Sequence, residues 1–153
     1  MRRLRDTVAV KCPIDQAQAR IEGFFAGRRG ADGQVRLSLR VPLKGAAGNA
    51  FALDHEVCVD ARVARDDQNL NDVVRVSWKG DDDFPLPAFA GTLLTWSEGN
   101  PKLTFVELDG TYTAPLGDAG AVFDAALGRR IAQRTAKDLL AQIAAAIADA
   151  PAA

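Results

Sequence analysis

The sequence predicts an α+β fold, a curved antiparallel sheet of about six strands packed against one long C-terminal helix. Three observations carry this. Between Val35 and Thr113, successive segments alternate apolar and polar residues with the two-residue period of strands. The links between them are short, as suits antiparallel neighbours in a meander. The chain then closes on a single amphipathic helical run. Strands and helices are segregated along the chain, which separates α+β from alternating α/β architectures.

In chain order, Thr7–Cys12 alternates, with Val8, Val10 and Cys12 on one face. Pro13 ends that strand and suits the start of a helix, where its missing N–H would be unpaired anyway. Ile14, Ala17, Ile21, Phe24 and Phe25 recur at helical spacing, and Gly23 divides this region into a short helical pair. Gly27, Gly30 and Gly33 stop it. Val35–Val41 puts Val35, Leu37, Leu39 and Val41 on one side and Arg36, Ser38 and Arg40 on the other, the pattern of a sheet with one wet face. In Phe51–Val63 the residues Phe51, Leu53, His55, Val57, Val59, Ala61 and Val63 share a parity. Val74, Val76 and Trp78 give a fourth strand. Phe89–Ser97 is a fifth, with no clear inward parity. Leu103–Thr113 is the sixth, with Val106, Leu108, Gly110 and Tyr112 on one side. Leu103 and Phe105 sit on the opposite parity, which suggests a bulge at its start.

The stretch YTAPLGDAG, Tyr112–Gly120, breaks the chain before the final helix. Pro115 and Gly117 end strand pairing, and Asp118 is a candidate cap for the first helical turn. At about 100° per residue, Ile131, Ala132, Thr135, Ala136, Leu139, Leu140, Ile143 and Ile147 fall on one half of that helix. Arg130, Gln133, Arg134, Lys137, Asp138, Gln142 and Asp149 fall on the other. Such segregation marks a helix lying on an apolar surface. The polar face reads as solvated surface.

The 153 residues suit one domain, residues 1–150, with a frayed tail at 151–153. A formal net charge of −1 argues against a nucleic-acid partner, which needs a concentrated basic surface. The opening MRRLR is basic but short and implies no partner by itself. No apolar run approaches a membrane span, so no stable membrane insertion is expected, and the N-terminus has no secretory pattern. Cys12 and Cys58 read as free thiols of a cytoplasmic protein.

The segments VAVKCPIDQA, FPLPAFAGTL (Phe84–Leu93) and LDGTYTAPLGDAG (Leu108–Gly120), leading into LGRRIAQRTAKDLL, resemble the START/SRPBCC superfamily. That superfamily includes pollen allergens, lipid-transfer domains and polyketide cyclases. The resemblance covers nearly the whole chain and implies a helix-grip fold, in which the sheet wraps the C-terminal helix around an apolar cavity. It implies binding or transport of a hydrophobic small molecule, lipid or aromatic and polyketide-like. Two alternatives accompany it: an enzyme of polyketide cyclase/dehydratase type, and an interaction or metalloenzyme-assembly accessory factor. The superfamily's many functions keep the resemblance one of architecture.

Strand direction locates an entrance independently. In a meander alternate connections share an end, so loops 42–50, 80–88 and 113–119 lie together, opposite turns 65–72 and 98–101. The first end carries Ala46, Phe51, Phe84, Leu86, Phe89 and Leu116 in or beside its loops. Exposed apolar loops suggest a site. The lining expected for a ligand is Leu37, Leu39, Phe51, His55, Val57, Val76, Trp78, Phe89, Leu108, Tyr112, Phe123, Leu127 and Ile131. His55, near the start of its strand, and Tyr112 are the candidates for acid–base work. The plainer readings are a solvated or backbone-bonded strand-end histidine and aromatics that simply pack the core. Trp78, Trp96, Phe105 and Phe123 are the side chains that would fill the interior if no void were left.

No metal and no cofactor are expected. His55 and Cys58, three apart on a strand, point to opposite faces, and no Cys/His spacing matches a zinc site. Nucleophile-elbow, P-loop and dinucleotide motifs are absent; GAAGNA leads into a strand rather than a helix. The run Asp81–Asp83 reads as a solvated loop. Glu107 and Asp109 share a wet strand face, where a carboxylate has no reason for a raised pKa.

Overall fold

The computed structural model describes residues 2–44, 50–66, 71–80, 86–113 and 125–149; for 40–44, 50–55, 65–66, 71–72, 125–127 and 149 the description is of backbone alone. Eight elements follow in order: β1 (Arg2–Val10), α1 (Ile14–Ala26), β2 (Val35–Lys44), β3 (Ala50–Asp66), β4 (Asn71–Trp78), β5 (Ala88–Trp96), β6 (Thr104–Thr113) and α2 (Ala125–Asp149). The strands form one antiparallel sheet in the order β1-β6-β5-β4-β3-β2. α2 packs against both edge strands, β1 and β2, as well as β6 and α1. One helix can touch both edges only if the sheet curls, so the strands form a half-barrel around α2.

The first strand begins earlier than its alternation suggests. Arg2–Arg5 are not a free basic start, because they are paired with β6 from Arg2↔Tyr112 onward. Leu4 and Val10 are buried on the inner side, while Arg3 and Arg5 lie on the other. α1 is one helix, not a pair. Gly23 remains helical within it, and nothing lies within 4 Å of where its Cβ would be. A mid-helix glycine costs roughly 0.5–1 kcal/mol, less than the burial of Ala17, Ile21, Phe24 and Phe25 returns. Pro13 precedes the first turn, and the Ala17 N–H donates to its carbonyl at 2.9 Å.

α1 closes the end of the half-barrel away from Tyr112. Gln18 donates to Thr95 Oγ1 on β5 at 2.9 Å. Arg20 donates to the Ile147 carbonyl at 2.7 Å, satisfying one of the carbonyls left unpaired at the end of α2. Thr104, fully buried, donates its hydroxyl proton to the Cys12 carbonyl at 2.6 Å. Leu103 and Phe105 need no bulge: the β1–β6 and β5–β6 registers run unbroken, and Phe105 faces outward, stacked on Trp96 with centroids 5.6 Å apart. Neither Trp96 nor Phe105 therefore fills the interior. In β5 the buried parity is that of Phe89 and Leu93. Val63 shares the inward parity of Val57, Val59 and Ala61 yet is 54% exposed. It lies at the rim beside α1, lining a small cleft with Gln18, Glu22 and Val74.

Candidate functional site

The inner face of the sheet and one face of α2 form a single apolar cluster. Leu37 and Leu39 come from β2, Val57 from β3, Val76 and Trp78 from β4, Phe89 from β5, Leu108 and Tyr112 from β6, and Ile131 from α2; all are buried in it. Nine of the thirteen sequence-predicted lining residues are thus brought together. Phe123 lies outside the described residues, and for Phe51, His55 and Leu127 the description stops at the backbone. His55 is the sixth residue of the 17-residue β3, in register with Leu39. Of the expected entrance residues, Ala46, Phe84 and Leu116 lie outside the described set, as do Asp81–Asp83 and Asp118. Leu86 and Phe89 are buried, so they belong to the core rather than to an exposed loop.

Three aromatics stand in one register row across the sheet. Trp78 pairs with Phe89, and Phe89 with Tyr112. The Trp78 and Phe89 rings stack at 4.5 Å between centroids, inclined by 25°. Two glycines make room for this. Gly91 and Gly110 are register partners on the inner face. A Cβ on either would lie 2.6 Å from the other's Cα and 2.7–2.8 Å from the Phe89 ring tip, and would press on a backbone carbonyl oxygen. The ring therefore lies along the strands over the glycine pair. No side chain longer than hydrogen fits beneath it without moving the backbone.

Two grooves open beside this row. One, of about 500 Å³, involves Val57, Trp78 and Leu86 together with polar residues of β3 and of the end of β4, including Glu56, Cys58, Asp60 and Ser77, and with Lys79 just beyond it. The other, of about 410 Å³, runs along the seam between β1 and α2. There β1 supplies residues Arg2 to Asp6, α2 supplies Arg129, Gln133 and Lys137, and β6 supplies Tyr112. Tyr112 has its ring in the core, at 5% exposure. Among the described residues its hydroxyl has no hydrogen-bond partner, and no sealed side-chain N or O is left unpaired. The hydroxyl therefore opens into the seam.

The outer side of the β1–β6 pair carries an ion-pair ladder. Arg3 binds Asp109 through two hydrogen bonds, at 3.0 and 3.2 Å. Arg5 reaches Asp109 at 3.1 Å and Glu107 at 3.5 Å. Thr7 donates to Glu107 at 3.2 Å. The Arg3 hydrogen bond, with help from Arg5 and against partial desolvation, holds the Asp109 carboxyl below the usual carboxylate range. Among the described residues no three His, Cys, Asp or Glu side chains cluster as metal ligands, and no helix is long and apolar enough to cross a membrane.

The seam was missed by sequence reasoning. Gln133 and Lys137 were assigned to a solvated face, Arg129 to neither face of the helix, and Arg2 to a basic start without a role. The available signal was the spacing of Arg129, Gln133 and Lys137, four apart and so on one helix row. What they face depends on how the sheet closes.

A curled antiparallel sheet gripping a long C-terminal helix defines the class, a helix-grip fold. No family model and no curated protein matches the chain. Among solved structures, TTHA0849 from Thermus thermophilus aligns with a TM-score of 0.56 at 17% identity, over 98% of this chain and 99% of that one. At a TM-score of 0.47 and 18% identity, 92% of this chain aligns with 45% of the di-domain ARO/CYC StfQ from the steffimycin biosynthetic pathway. A START superfamily protein from Mycobacterium smegmatis aligns at 0.44 and 16%, over 94% and 97% of the two chains.

Proposed function

We propose that this chain binds a hydrophobic small molecule, lipid or aromatic, between the inner face of the sheet and α2. The observation that carries the reading is the aromatic row at the strand ends. Trp78 and Tyr112 each belong to the buried cluster and also line an open groove. Apolar surface continuous with a cleft, edged by a few polar groups, is the common anatomy of a small-molecule site. The helix-grip fold supports the same reading, since its members typically enclose hydrophobic ligands. A catalytic role for Tyr112 has less support, because its hydroxyl contacts no acid or base among the described residues.

Native mass spectrometry of freshly purified protein, followed by organic extraction, tests the proposal. It pairs with titration of a neutral fluorophore, N-phenyl-1-naphthylamine. Trp96→Phe leaves Trp78 as the only tryptophan, so its emission reports on the row directly. The expected results are a co-purified apolar compound or saturable one-to-one binding that perturbs Trp78. Protein that carries nothing and gives no saturable signal up to the fluorophore's solubility defeats the reading.

A further inference from the structure

The whole chain carries a formal charge of −1, yet among the described residues the seam between β1 and α2 gathers five cations, Arg2, Arg3, Arg5, Arg129 and Lys137, against one carboxylate, Asp6. Composition does not account for that concentration. Arg3 and Arg5 are engaged on the outer side by Asp109 and Glu107. Arg2, Arg129 and Lys137 have no ion-pair or hydrogen-bond partner among the described residues. Arg129, Gln133 and Lys137 stand on successive turns of α2, a row about 12 Å long at 1.5 Å per residue. Arg2 faces them from the edge of the sheet, and the Tyr112 hydroxyl opens between. Charges on an edge strand alone would be ordinary protection against strand-to-strand association. That function does not require a helix to set more cations and an amide opposite them.

We propose that this seam takes the oxyanion head group, carboxylate or phosphate, of an amphiphilic ligand. Its apolar part would pass Tyr112 and Leu4 into the space between sheet and helix. The inference rests on the hydrophobic-ligand reading above and adds the polar end of that ligand. The chemistry is complementary. Guanidinium groups pair with carboxylate or phosphate through paired, charge-assisted hydrogen bonds. Gln133 and Tyr112 add neutral donors. Leu4 and the Tyr112 ring, both buried, form an apolar step from the cations to the core.

The test compares decanol, decanoate and decyl phosphate by calorimetry below their micellar concentrations, with inorganic phosphate as a fourth ligand. The proteins are wild type, Arg2→Gln and the double variant Arg129→Gln/Lys137→Gln, whose fold is checked by circular dichroism. The α2 side chains are exposed, so the double variant is expected to fold. At low ionic strength, at least one charged probe should bind about tenfold more tightly than decanol, a gap of about 1.4 kcal/mol. The gap should shrink to about twofold in the double variant, narrow in Arg2→Gln, and fade in about 0.5 M salt, where screening is short-ranged. Decanol affinity should not change between proteins. Whichever of decanoate and decyl phosphate shows the larger gap identifies the head group. Equal binding of charged and neutral probes, or a gap the variants leave intact, removes the head-group site while leaving the hydrophobic reading standing. Failure of all three alkyl compounds removes both. Inorganic phosphate binding as tightly as decyl phosphate would mark a free-anion site and overturn the amphiphile.

Discussion

Gly110→Ala tests the close approach that shapes the aromatic row. A Cβ at position 110 would lie 2.6 Å from Gly91 Cα, about 0.8 Å inside the 3.4 Å where ordinary contact begins, and 2.7 Å from the Phe89 ring tip. It would also press on the Ala90 carbonyl oxygen. Two of these three neighbours are backbone, so no rotamer change relieves them and β5 must move away from β6. Overpacking of this kind costs roughly 1–3 kcal/mol. Tilting Phe89 off Trp78 forfeits part of a stacking contact worth about 0.5–1.5 kcal/mol. Alanine returns roughly 0.4–1 kcal/mol by restricting the unfolded chain. The expected net loss is about 2–3 kcal/mol. At roughly 2–4 °C per kcal/mol for a chain of this size, Tm should fall by about 4–12 °C. Urea unfolding followed by far-ultraviolet circular dichroism gives the free energy, and near-ultraviolet dichroism reports the Trp78 environment. Gly91→Ala should behave alike. The double variant should cost clearly less than the two single changes together, because one strand displacement relieves both clashes. A Gly110→Ala protein within about 0.5 kcal/mol of wild type, or strictly additive single changes, would refute the reasoning.

Gly23→Ala should instead stabilise the protein by about 0.4–1 kcal/mol in the same unfolding assay, since α1 is helical there and the Cβ meets nothing within 4 Å. Asp109 titrates below its usual 3.8 in the folded state because of Arg3. Its contribution to stability should therefore be fully present well above pH 3.8, and be lost as the pH falls from that value through the lower folded one. Urea midpoints measured from about pH 7 to about pH 2 should show an acid loss that is smaller in Asp109→Asn; identical acid slopes would remove Asp109 as a contributor. Cys58 is exposed and Cys12 buried, and both are free. A chromogenic disulfide reagent should titrate one thiol in the native protein and the second only in denaturant.

The parts of the fold that could be read directly from the sequence are those whose pattern is local. In β2, β3, β4 and β6 one parity is apolar and the other polar, so Leu37, Leu39, Val57, Val76, Leu108 and Tyr112 could be assigned to a common face before any partner was known. β5 defeated this because both of its faces carry large apolar groups. Phe89 and Leu93 are buried inside, while Trp96 finds Phe105 on the outside. Gly110 was legible as an inward position, but its meaning needed Gly91 opposite, and that pairing follows only from the β5 register. The arginines of β1 were opaque for a related reason. RRLR does alternate around Leu4, but its outward charges are balanced by Asp109 and Glu107 about a hundred residues away, so locally they look like a solvated tail.

The same non-locality links the glycine pair to the cationic seam. Trp78, Phe89, Tyr112 and Arg2 occupy one register row, each paired with the next. The glycines set how Phe89 lies, and Phe89 pairs with Tyr112. Tyr112 is the step from the apolar interior to the seam, and Arg2 stands beside it facing α2. A strand shift at Gly110 should therefore reach beyond stability. In whatever fraction of Gly110→Ala remains folded, decanol and decanoate should both bind more weakly, because the apolar path is disturbed upstream of the head group. The double variant on α2 should weaken only the charged probe. Two lesions on one row, separable by the charge of the probe, would distinguish a continuous ligand path from a packed core that happens to lie near a basic groove.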